Sequence, residues 1–152
     1  MVPRGRFSRA LWTLPVCRAN VRGMTHRFDL RVYYEDTDLA GIVYYANYLK
    51  FIERARTEWV RGIGIDQARL KADEGIVFAV RRVEANYLKP AKFDDVLTVE
   101  TAIGEISGAR ITLSQVVKRG EDRLFDAMLM LVALTGDGRP ARLPADVRRR
   151  MG

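Results

Sequence analysis

The sequence is poor in the two side chains that most often do chemistry. Its 152 residues include one cysteine, Cys17, and one histidine, His26. A single cysteine excludes an internal disulfide and suits a reducing compartment. The two together fall short of the three or four ligands of a zinc site. A Ser-His-Asp or Cys-His arrangement would have to use His26, which sits beside the N-terminal segment, and is not expected. No apolar run approaches the ~20 residues of a membrane-spanning helix. No repeat or low-complexity linker divides the chain, and its length suits one domain with a sizeable core.

Acidic residues are missing from both ends. Residues 1–23 carry Arg4, Arg6, Arg9, Arg18 and Arg22 without an acid, and Arg148, Arg149 and Arg150 close the chain. The formal net charge of +7 therefore comes from the ends: between 24 and 147, 18 basic residues face all 19 acidic ones. A nearly neutral folded part excludes a basic face for nucleic acid, although basic ends can touch an anionic lipid surface. The apolar stretch Ala10 to Cys17 follows three arginines, but Pro15 and Arg18 interrupt a signal-peptide pattern. An Arg-rich organellar leader is a further reading. The expected division is a disordered tail or mis-assigned start over 1–23, one folded domain over 24–147, and a basic tail over 148–152.

What is present is a clear change of period. Phe28, Leu30, Val32 and Tyr34 alternate with Asp29 and Arg31, which predicts a half-buried strand over Phe28–Glu35. From Asn47 to Gly62, Tyr48, Ile52, Ala55 and Trp59 recur at helical spacing, widened by Phe51. Lys50, Glu53, Arg54 and Arg61 fall mostly on the opposite side. A shorter helix is predicted over Asp66–Ala72. Four strand-like runs follow: Val77–Leu88, Val96–Ile106, Ala109–Lys118 and Leu124–Thr135. Their short links, "KPAKFDD", "SG" and "RGED", predict antiparallel pairing of consecutive strands. The order β-α-β-β-β-β gives an α+β domain. One five-stranded antiparallel sheet and one long helix bury each other's apolar faces.

Between the first strand and the long helix lies "EDTDLAG", with Glu35, Asp36 and Asp38 packed into four positions. A calcium loop is excluded, because Ala40 stands at its fifth position and Asn47 stands at the twelfth in place of a bidentate Glu, and the preceding segment reads as a strand. As a structural feature, Asp36 and Asp38 are turn formers whose side chains accept backbone N–H bonds, and Glu35 is a solvated strand residue. As a functional feature, a carboxylate just before a helix lies near unpaired backbone N–H groups at the positive helix end. Those N–H groups can polarise a carbonyl oxygen while the carboxylate attacks the carbonyl or activates a water. Neither metal nor histidine is needed.

The run "VYYEDTDLAGIVYYANYLKFIERAR" resembles the signature of the 4-hydroxybenzoyl-CoA thioesterase family, especially its YbgC-type branch, the acyl-CoA thioesterases associated with the Tol-Pal system. The resemblance extends through "FAVRRVEANYLKPAKFDDVLTVET" to "RPARLPADV". It implies a hotdog fold, in which a sheet wraps one long helix. It also implies homodimers or homotetramers with active sites between subunits, and no cofactor beyond the CoA of an acyl-CoA substrate. Asp38 matches the catalytic acid, acting as nucleophile or general base. The backbone N–H of Tyr45 would polarise the thioester carbonyl. YbgC-type members usually carry His at that position, whereas 4-hydroxybenzoyl-CoA enzymes carry Tyr. Gly41 would let the chain approach the thioester, and Tyr34 and Tyr44 would line the acyl site. Arg110 is what remains of a basic cluster for the CoA phosphates; Lys89, Lys92, Lys118 and Arg119 are further candidates. The resemblance places the protein in the cytoplasm, at or off the inner membrane. Acyl-carrier protein and lipid-synthesis enzymes are further expected partners. The alternative is a non-catalytic acyl-binding scaffold using the same pocket. A 3-hydroxyacyl dehydratase is disfavoured, since that chemistry normally uses a His and His26 lies outside the turn.

Overall fold

The computed structural model describes residues 25–152; the expectation for 1–23 lies outside the described residues. β1 spans His26–Arg31, and a short 3-10 turn, Tyr34–Asp36, follows. Then come α1 (Asn47–Gly62), α2 (Gln67–Glu74), β2 (Ile76–Tyr87), β3 (Val96–Ser107), β4 (Arg110–Arg119), β5 (Asp122–Thr135) and α3 (Ala145–Met151). The five strands form one antiparallel sheet in the order β1-β3-β4-β5-β2.

The core forms where the two apolar periods meet. Tyr48, Phe51, Ile52, Ala55 and Trp59 of α1 are all buried, as their spacing predicts. They face Leu97 and Val99 of β3 and Ile111, Leu113 and Val117 of β4, each of them fully buried. Gln115 falls on the same inward face of β4 and is also fully buried. Its amide donates to the Ile52 carbonyl and to Thr101 Oγ1, both at 2.9 Å, and its oxygen accepts from Arg56 at 2.9 Å. The polar atoms of this core position are thus paired, which removes most of the cost of burying an amide. Burial holds the Arg56 guanidinium below its ordinary range.

Three expectations change. The first strand ends at Arg31 rather than Glu35, because the chain turns through Tyr34–Asp36, and Tyr34 is exposed instead of continuing the inward face. The link "KPAKFDD" does not join neighbouring strands: β2 pairs with β5 at the far edge, and residues 88–95 cross to β3. Crossing three strand spacings of ~4.8 Å needs roughly 14 Å, within reach of eight extended residues at ~3.3 Å each. "SG" and "RGED" are too short for this and make hairpins. Finally, residues 148–151 are no tail. They continue α3, which buries Val147 and Met151, while the Arg150 side chain donates to the carbonyls of Ile63 and Gly64 at 3.4 and 3.3 Å, just past the end of α1.

Candidate active site

The loop between the 3-10 turn and α1 folds back on itself. Asp38 N–H donates to the Ile42 carbonyl at 2.9 Å, Gly41 N–H donates to the Asp38 carbonyl at 2.9 Å, and Thr37 and Val43 form an antiparallel bridge. Gly41 sits at φ +77°, in the left-handed region that glycine enters without steric cost. A second bridge, Ile42 to Lys92, docks this hairpin-like loop on the crossing segment. The segment is in turn fixed by Asp95, which accepts from Lys92 N–H at 2.9 Å and from Arg119 at 2.7 Å.

Asp38 is half-buried at the tip of this arrangement. Its Oδ1 accepts from Ala40 N–H at 2.9 Å, which fixes the rotamer, and its Oδ2 has no hydrogen-bond partner among the described residues. The carboxylate is therefore oriented but still has an unused oxygen. Tyr45 follows at the entrance to α1. Ala46, the residue before the helix, has helical dihedrals and no side-chain cap. Tyr44 N–H is taken by the Asp36 carbonyl and Asn47 N–H by the Tyr44 carbonyl, whereas Tyr45 N–H has no partner among the described residues. An uncapped helix start with a free N–H is a ready place for a developing negative oxygen. The Tyr45 carbonyl accepts from the Tyr87 hydroxyl at 2.9 Å, which pins this peptide from the β2 side.

Aromatic rings surround the mouth. Tyr44 packs edge-on against Tyr45, with ring centroids 4.9 Å apart, and Tyr45 against Tyr87 at 6.2 Å. The Tyr45 phenol beside it, then burial and the Asp38 charge, push the Tyr44 hydroxyl above its ordinary range. Tyr34 points elsewhere: it is 76% exposed and stacks on Phe93 at 4.0 Å, in nearly parallel planes.

The loop thus brings together Asp38, Gly41, Tyr44 and Tyr45, while Tyr34 lies on the outside of the preceding turn. Arg110 is separate. It sits at the hairpin end of β3 and β4, opposite Ser107, and β3 alone is about 36 Å long at ~3.3 Å per residue. Within one chain it does not reach the loop. Of the other basic candidates, Lys89 pairs with Asp122, Lys118 with Glu100 and Arg119 with Asp95. Lys92 has no ion-pair partner among the described residues and lies on the bridge to the loop. His26 begins β1, opposite Thr101, away from the turn.

Sequence reasoning missed three residues. The sequence marks Asp36 as a turn former, yet it is 3% exposed and receives Asn47 Nδ2 at 3.0 Å and Tyr33 N–H at 2.8 Å. Asn47 is 6% exposed, and its spacing predicts a helix start and not a partner for Asp36; Tyr87 reads from the sequence as a strand residue. An Asn at the first helical position, eleven residues after an acid, was the available signal for the first pair. Nothing in the sequence reports that Tyr87 meets Tyr45, since that contact depends on strand β2 lying beside the helix start.

Comparison with known proteins identifies the family and the fold. A family model described as "Thioesterase superfamily" matches residues 40–125. The chain is 39% identical to acyl-CoA thioesterase YbgC of Haemophilus influenzae, over 80% of this chain and 90% of that protein. It is 41% identical to acyl-CoA thioester hydrolase YbgC of Escherichia coli, over 70% and 78% respectively. Among solved structures, a probable thioesterase from Bartonella henselae is similar with a TM-score of 0.77 at 40% identity, covering 80% of this chain and all of that one. A mutant 4-hydroxybenzoyl CoA thioesterase complexed with 4-hydroxybenzoyl CoA is similar with a TM-score of 0.78 at 26% identity, covering 84% and 99%.

Proposed function

This chain belongs to the thioesterase superfamily and is a hotdog-fold thioester hydrolase, and on that premise we propose that Asp38 and the Tyr45 N–H together cleave an acyl-CoA. The observation that carries the assignment of roles is the pairing in one loop of an oriented carboxylate and a backbone N–H at an uncapped helix start, where one carboxylate oxygen and the N–H have no partner among the described residues. The thioester carbonyl oxygen takes the Tyr45 N–H. Asp38 either attacks the carbonyl carbon, expelling the CoA thiolate and leaving an anhydride that water opens, or removes a proton from the attacking water. Either route consumes one water and gives a free acid and CoA, with no further cofactor. Gly41 keeps the loop tip narrow, and Tyr44 and Tyr45 border the acyl group. Lys92, on the bridge to the loop and without an ion-pair partner among the described residues, is available for a CoA phosphate. Arg110 serves that purpose only if a second chain brings it to the loop.

A second chain is part of the reading. β2 is a twelve-residue edge strand with one side unpaired among the described residues, and its Val80 and Val83 are exposed. An open apolar edge of this length favours pairing with another copy, so a homodimer, or a homotetramer built from it, forms along β2. No helix among the described residues is long and apolar enough to cross a membrane. A cytoplasmic location and a Tol-Pal-associated role belong to the same reading, in which the acid-free, arginine-rich segment 1–23 touches anionic inner-membrane lipid or an acidic acyl-carrier protein.

The test is thiol release from a panel of acyl-CoAs, with Asp38→Asn alongside. The variant keeps the shape and loses the charge, and its turnover should fall at least about 10²-fold while its far-UV circular dichroism is unchanged. Wild-type turnover in the variant removes Asp38 from the mechanism. Binding of acyl-CoA without any thiol release would instead support the acyl-binding scaffold.

A further inference from the structure

Ten residues, 37–46, separate two buried polar side chains, Asp36 and Asn47, and those ten carry both groups of the proposed chemistry. Asn47 Nδ2 donates to Asp36 Oδ1 at 3.0 Å, and Tyr33 N–H donates to Asp36 Oδ2 at 2.8 Å. The backbone repeats the closure: Tyr44 N–H donates to the Asp36 carbonyl at 2.8 Å. One residue therefore ties together the exit of β1, the start of α1 and the neck of the loop.

This arrangement is costly. A buried carboxylate loses much of its hydration, and no Lys or Arg pairs with Asp36 among the described residues. An apolar pair would close a loop at lower cost. What a carboxylate adds is that both of its oxygens only accept. With Tyr33 N–H on one oxygen and Asn47 Nδ2 on the other, the Asn47 amide has one allowed orientation and the loop neck one register. We propose that Asp36 and Asn47 are positioning residues, which set the separation of the Asp38 carboxylate and the Tyr45 N–H without touching the substrate. This rests on the thioesterase reading above.

The pairing makes its own test. Asp36→Asn supplies one acceptor and one donor where two acceptors are needed, so it keeps Tyr33 N–H only if the Asn47 amide turns over and gives up the orientation that the carboxylate imposes. Asn47→Asp sets two carboxylates against each other. The double variant Asp36→Asn, Asn47→Asp restores every bond, because the new amide donates to the new carboxylate while its oxygen accepts from Tyr33 N–H. Two quantities are read below the melting temperature of each protein: kcat and KM on the best acyl-CoA, and amide hydrogen exchange of 37–46 by mass spectrometry. Each single variant should lose about 10²-fold in kcat, the scale of a small misplacement of reacting groups, with KM little changed and exchange of the loop faster. The double variant should recover both. A folded single variant with wild-type kcat and wild-type exchange overturns the proposal. So does a double variant that regains melting temperature but neither kcat nor loop protection, since the pair would then serve the fold alone. If the wild-type chain hydrolyses no thioester, the thioesterase reading fails by itself, and the exchange measurement still decides the clamp.

Discussion

At Gly41 the demands of the fold and of the chemistry meet in one residue. A Cβ added there would meet nothing within 4 Å, so space does not require glycine; the φ of +77° does. Gly41→Ala should therefore cost about 1–2 kcal/mol, the penalty of a left-handed conformation for an L-residue, or roughly 2–8 °C in melting temperature for a domain of this size. The loop would relieve that strain by shifting Asp38, so kcat should fall with KM little changed. Thermal unfolding and steady-state kinetics on the same sample check both parts. A variant with full stability and full kcat would mean that the φ observed at Gly41 is unimportant to the site. The residue scale also separates the three acids of "EDTD", which the sequence presents alike. Glu35 is exposed, Asp36 is buried under two donors, and Asp38 is half-buried with one oxygen unused. Alternation could not tell them apart, because the strand ends four residues earlier than its pattern does.

At the scale of elements, α1 was legible because its apolar stripe has the helical period and is bounded by Gly62 and Gly64. The partner of β2 was not legible. Pairing with β5 rather than β3 depends on the length of the 88–95 crossing and on the β3-β4 and β4-β5 hairpins filling the middle of the sheet first. The same placement leaves β2 with a side unpaired among the described residues. Val80→Lys combined with Val83→Lys puts like charges on that edge, a device that blocks edge-to-edge association. The double variant should be monomeric by analytical ultracentrifugation where the wild-type chain is a dimer or larger, and its turnover should drop if the site is completed by a second chain. An unchanged mass would remove β2 from the interface.

On the scale of the whole molecule, the site depends on contacts that hold the loop, the crossing segment and the sheet together. Asp95 is central to these. Burial works against its charge, but the Lys92 N–H and the Arg119 guanidinium outweigh that and hold its carboxyl below the usual carboxylate range. A depressed folded-state pKa means that the stabilisation is complete above the ordinary carboxylate pKa and is lost as the pH falls through the folded value. Asp95→Asn should therefore lower the urea midpoint more at pH 6 than at pH 3. Equal differences at the two pH values would show that the Asp95 charge adds nothing to stability.

The sequence by itself determined the periods. It set a strand pattern, a helical stripe and four further strand runs, and hence which faces must be covered. It also carried the signature that identifies the reaction, since "EDTDLAG" followed by an aromatic-rich helix start is a local arrangement built from neighbouring residues. Only the tertiary structure decided which acid is buried, that Tyr87 pins the Tyr45 peptide, that Arg110 lies at the far end of the sheet, and that residues 148–151 form a helix against the end of α1. The physical reason is separation along the chain. A period is fixed by the geometry of a few adjacent residues, whereas the solvation of a carboxylate or the partner of a hydroxyl is set by whichever distant segment packs against it.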